Sequence, residues 1–125
     1  MPFANFTMTE FACPCCDSNM QMPSFIERLQ LLRTSYGKSI TVNSGYRCEV
    51  HNREVGGVAN SAHLQGHAVD FTVPGGDVYQ IIKLAYRDGF TGIGVRAHGD
   101  RRMVHLDDLL YGEWAHRRPY FWTYE

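Results

Sequence analysis

Apolar residues recur at helical spacing between Pro23 and Gly37, where Phe25, Ile26, Leu29, Leu32 and Tyr36 form one stripe. Ser24 with Glu27 three residues later reads as a capping box that opens this helix, and Gly37 stops it. A second helical stripe carries Val78, Ile81, Ile82, Ala85 and Tyr86 inward, with Asp77 as N-cap and Gly89 as the end. Four short stretches have strand character instead: Ser39–Asn43, Ala68–Val73, Thr91–Val95 and Arg102–Leu106. The last two are joined by a turn over Arg96–Arg101. Residues 44–61, rich in Gly and Asn, read as one long loop, a length that points to function rather than bare connection. The first ten or so residues read as an irregular arm, anchored on the core by Phe6 and Phe11. The aromatic tail, with Trp114, Tyr120, Phe121 and Trp122, reads as packing groups. Together these elements predict an α+β fold: a small antiparallel sheet with two main helices packed on one face.

Two of the strands carry polar residues in a telling position. In Ala68–Val73, Val69, Phe71 and Val73 point one way and Asp70 points the other. In Arg102–Asp107, Met103, His105 and Asp107 share one face while Val104 and Leu106 share the opposite one. If the aliphatic faces meet the helices, Asp70 and His105 lie on the open face of the sheet. His63, in the glycine-containing loop before Asp70, folds back towards them. An imidazole, a carboxylate and a second imidazole suit a divalent ion such as zinc, and three protein ligands leave the fourth position open, as in catalytic sites. Spacing alone fits a plainer reading equally well, in which the histidines are half-buried or surface polar groups and Asp70 caps a turn.

With 125 residues the chain is read as one domain, 1–125, able to build a core without metal or disulfides. A net charge of -1 gives no argument for a nucleic-acid partner, and no stretch reaches membrane-spanning length. The basic residues are nearly all arginine, which suits forked recognition of carboxylates. Cys13, Cys15, Cys16 and Cys48 lack the paired CxxC spacing of a zinc ribbon and are read as free thiols outside the chemistry, with a structural metal at the cluster and a disulfide from Cys48 to it as the lesser alternatives. No basic start followed by an apolar run opens the sequence, so synthesis in the cytoplasm is expected.

The segment Ser61-x-His63-x-x-Gly66-x-Ala68-x-Asp70 resembles the SxHxxGxAxD signature of the zinc D-alanyl-D-alanine carboxypeptidase and murein endopeptidase family, whose fold recurs in hedgehog domains. The resemblance extends to Glu10–Cys15 (an EFxCxC-like stretch), Leu29–Arg33, Ser44-Gly-Tyr-Arg47, the run from His51 to Ser61, and Val104-His-Leu-Asp107, in the order of the small single-domain branch. It implies that His63, Asp70 and His105 bind Zn2+, and that Arg47 holds a substrate carboxylate or carbonyl near the metal. Ser61 and Gly66 would shape the loop that carries His63. The implied reaction is hydrolysis of an amide bond in peptidoglycan stem peptides or cross-links, by a monomer. The implied place of action is the cell wall or periplasm after export or lysis, or a phage particle. One departure stands out. Relatives carry a glutamate three residues before the last histidine, or a histidine or tryptophan two before it; here those positions are Arg102 and Met103. Asp107 is the nearest acidic residue on the same face, as proton acceptor or as a group orienting His105; His67, His98 and Asp100 read as surface residues. The alternative is a zinc module of the same fold that binds cell-wall peptide or a protein partner without cutting it.

Overall fold

The computed structural model describes residues 3–58, 61–110 and 117–124. A five-stranded sheet has the order β1-β2-β4-β3-β5, with β1 Thr41–Ser44, β2 Ala68–Pro74, β3 Gly92–Arg96, β4 Arg101–Asp107 and β5 Tyr120–Tyr124. The three pairings among the four strands expected from the sequence are antiparallel, whereas β5 joins β3 in parallel at the edge. The sheet is therefore mixed, and the additional strand comes from the aromatic tail.

Helices α1 (Pro23–Tyr36) and α3 (Val78–Arg87) cover one face. Their apolar stripes, Phe25, Ile26, Leu29 and Leu32 with Ile81 and Ala85, share one core with Val69, Phe71, Val73, Val104 and Leu106. Phe6 and Phe11 are buried in that core, as expected of the N-terminal arm. The alternation in β2 and β4 is thus resolved as predicted: aliphatic residues face the helices, and Asp70 and His105 face away.

Several local expectations are corrected. Helix α1 starts two residues earlier than the Ser24 cap implied. Met22 is the N-cap and Pro23 the first helical residue, a position where its fixed φ and missing N–H suit the helix. Asp77 precedes α3, but its carboxylate accepts hydrogen bonds from Tyr36 Oη (2.6 Å) and Lys38 Nζ (3.1 Å) instead of capping the helix. Tyr86 is exposed, and Leu84 is buried in α3. Within the long loop, Glu49–Glu54 forms a short helix, α2, whose first turn is capped by Cys48 Sγ accepting from His51 N. Trp114 lies outside the described residues.

Candidate metal centre

The open face of the sheet brings the predicted residues together. Asp70 and His105 are direct partners across β2 and β4. His63 arrives from a 3-10 turn, Ala62–Gln65, capped at one end by Ser61 Oγ accepting from His63 N and closed at the other by Gly66 in the left-handed region. His63 Nε2 stands 3.3 Å from Asp70 Oδ1, and His105 Nδ1 donates to the same oxygen at 2.9 Å. The three residues offer donor atoms that all lie within 4.8 Å of one another.

The protonation of His63 shows what this group is built to hold. Its Nδ1 is 2.7 Å from the Gly45 carbonyl oxygen. A carbonyl only accepts, so Nδ1 carries the proton and Nε2 presents a bare lone pair. Burial pushes the imidazole towards its neutral form. Nε2 is itself buried and has no hydrogen-bond partner. A lone pair facing a carboxylate oxygen at 3.3 Å is repulsive unless a cation lies between them. His63, Asp70 and His105 therefore fit a divalent metal, with a donor set of two imidazoles and one carboxylate.

His105 is gripped on both sides. Burial disfavours its charge, but hydrogen bonds to Asp107 and Asp70 prevail and push its pKa up to about 9 in the metal-free protein. Its Nε2 donates to Asp107 Oδ2 at 2.8 Å. Asp107 has no solvent exposure, and Arg118 grips it with a fork, Nε to Oδ1 at 2.8 Å and a terminal nitrogen to Oδ2 at 2.7 Å. Burial raises the Asp70 and Asp107 carboxyls, yet their cationic and hydrogen-bonding neighbours hold both well below the usual carboxylate range: the two histidines for Asp70, His105 and Arg118 for Asp107.

Two glycines in β3 leave room for these groups. A Cβ on Gly92 would lie 2.3 Å from an Asp107 carboxylate oxygen, and one on Gly94 would lie 2.4 Å from Trp122 Nε1. Gly94 is paired with His105 on one side and Trp122 on the other. Trp122 thereby crosses the bare strand and sets its ring against His105, with centroids 5.1 Å apart.

The donors stand at the floor of a cleft of about 480 Å³. Arg47 forms part of its wall, donating to Asp70 Oδ2 (3.3 Å), Asn52 Oδ1 (3.1 Å) and Ser44 Oγ (3.3 Å). Trp122 and Tyr124 form another part, so these tail aromatics face the cleft rather than the core. Among the described residues Asp70 is the only carboxylate in the lining. Arg102 points elsewhere, donating to the Gly99 carbonyl, while Met103 lines the cleft. His67 pairs with Asp108, and His98 and Asp100 are exposed on the β3–β4 turn. Sequence reasoning missed Arg118, Trp122 and Tyr124; the run Tyr120–Tyr124, rich in strand-forming aromatics, was the available signal.

Comparison with known proteins agrees with this geometry. The chain is 38% identical over 81 residues to the zinc D-Ala-D-Ala carboxypeptidase of Streptomyces albus G, a match covering 62% of this chain and 32% of that protein. The chain thus matches about a third of the length of that curated relative. The pattern of the peptidase M15 family matches residues 4–107, a span holding His63, Asp70 and His105 and the strands that carry two of them, and the chain belongs to that family.

Proposed function

We propose that the protein is a zinc-dependent metallopeptidase that hydrolyses an amide bond in peptidoglycan stem peptides or cross-links. The observation that carries this reading is the buried, unpartnered His63 Nε2 facing Asp70 and His105 at the floor of a cleft. The named activity of the Streptomyces relative supports the substrate class. His63, Asp70 and His105 would hold zinc, which when bound acidifies water and polarises a carbonyl.

The remaining work falls to the chain's own groups. Arg47 presents a fixed guanidinium beside the donors and suits a peptide carboxylate or carbonyl oxygen. Tyr124, whose phenol burial pushes upward, stays protonated and offers a hydrogen bond to an oxygen gaining charge. Asp107 has both oxygens engaged by His105 and Arg118, so in this reading it is a positioning residue that fixes the His105 ring. On this reading the protein acts as a monomer at the cell wall or periplasm, reached by export or lysis, or on a phage particle.

The engagement of Asp107 also favours a second reading, a zinc module that binds cell-wall peptide without cutting it. Digestion of purified peptidoglycan, with and without chelator, separates the two. The expected result is released peptides that disappear with chelator and return with zinc, their masses giving the bond. Intact peptidoglycan under all conditions, from protein shown to hold zinc, would leave the binding module.

A further inference from the structure

All four cysteines of the chain meet at one place remote in sequence from the His/Asp donors. Cys13, Cys15 and Cys16 lie on a tight turn, closed by hydrogen bonds from Cys13 N to the Ser18 carbonyl (2.8 Å) and from Asp17 N to the Cys13 carbonyl (2.8 Å). Asp17 takes a left-handed φ of 60° to make that turn. Cys48 comes from the other side, at the start of α2. The sulfur of Cys13 is 3.6 Å from those of Cys15 and Cys48, and the Cys15 and Cys48 sulfurs are 3.3 Å apart. All four sulfurs lie within 4.8 Å of one another, and all four thiols are free.

These separations have a chemical meaning. Zinc–sulfur bonds of about 2.3 Å at tetrahedral angles set sulfur–sulfur distances of about 3.8 Å. A disulfide would need about 2 Å. Four thiols converging from two segments, 32 residues apart at their nearest, approximate a tetrahedron of donors rather than a packed apolar cluster. The backbone N–H of His51 already points at Cys48 Sγ (3.4 Å), as N–H groups do around metal thiolates.

We propose that Cys13, Cys15, Cys16 and Cys48 form a second metal centre, a structural zinc site of four thiolates. Each thiol that binds releases its proton to solvent. The site is closed, with no position left for water or substrate, so it is structural. It fastens the N-terminal arm to the segment that serves the first centre. Within that segment Gly45 supplies the carbonyl that orients His63, Tyr46 N bonds the Phe11 carbonyl at 2.8 Å, and Arg47, which contacts Asp70, adjoins Cys48.

The test uses the full chain, isolated under a non-thiol reductant. Metal analysis of a His63→Ala variant should find one zinc per chain retained, whatever becomes of the first centre. Iron in its place, or no metal, would overturn the proposal. Cobalt added to the metal-stripped wild type should give intense near-ultraviolet absorption from thiolate-to-metal charge transfer, which histidine and aspartate ligands do not give. The His63→Ala variant should keep that band and Cys16→Ser, at an exposed position, should weaken it. Cobalt uptake without the band in wild-type protein would overturn the site even if Cys16→Ser failed to fold. A band in both proteins with a single metal bound would uphold it while removing the His63 centre.

Discussion

His105 and Asp107 stand two residues apart on one strand, and the imidazole Nε2 of the first donates to the carboxylate of the second at 2.8 Å. Arg118 closes the arrangement from outside, so the ring that faces Asp70 through Nδ1 is held in one orientation by a chain of charges. Asp107→Asn keeps the shape and removes the charge. It should weaken zinc binding about 10- to 100-fold, the usual effect of losing such an outer partner. It should also destabilise the fold by about 3 kcal/mol or more through the stranded Arg118 cation. Competition against a chromophoric chelator and denaturant melts measure both. Unchanged zinc affinity would show that Asp107 does not orient His105.

Gly92 is bare because Asp107 fills the space a side chain would need. Gly92→Ala should push the carboxylate off His105 and Arg118, costing about 1–3 kcal/mol by overpacking. Zinc affinity should fall along with thermal stability. Alanine at Gly76, where nothing lies within reach of a Cβ, should leave zinc affinity unchanged.

Arg47 bonds three different oxygens through its fork, a geometry a lysine cannot reproduce. Arg47→Lys should retain zinc while kcat/KM on a stem-peptide substrate falls about 10- to 100-fold, corresponding to about 1.5–3 kcal/mol of charged hydrogen bonding. Full activity with lysine would remove Arg47 from the substrate's contacts.

The Tyr36 phenol is pushed up to about 12, first by burial and then by its hydrogen bond to Asp77. The unfolded chain's tyrosine ionises near 10, so between pH 10 and about 12 only the unfolded state gains from losing this proton. Stability from Tyr36 is therefore complete below pH 10 and lost as pH rises through that window. Tyr36→Phe should show a shallower decline there than the wild type in parallel denaturant melts.

The residues of the candidate metal centre were readable because β2 and β4 alternate cleanly: Val69, Phe71, Val104 and Leu106 declare the buried face, and Asp70 and His105 fall on the other. What escaped the sequence depends on contacts that periodicity does not encode. Helix α2 is six residues long, too short to nucleate alone, and it stands on the Cys48 cap and buried Asn52. The convergence of Cys48 on Cys13, Cys15 and Cys16 was only a lesser alternative in the sequence, because 32 residues separate it from Cys16 and the spacing matches no zinc ribbon. Arg118 could be matched to Asp107 only once the tail was known to return to the sheet. The Ser24 cap failed for a local reason: Pro23 is the better first helical residue.

The parallel edge strand divides the cleft between two stretches of chain. Every donor of the His/Asp centre lies within the family span 4–107, whereas Arg118, Trp122 and Tyr124 lie beyond it. Reach and grip are thus separately adjustable. Exchanging Trp122 or Tyr124 reshapes what the cleft admits while the metal donors stay where β2 and β4 hold them. Arg118 couples the halves through charge, because it steadies Asp107 from the same stretch that walls the cleft. A graft of another relative's tail onto this chain would transplant selectivity only if it brought a cation to that carboxylate.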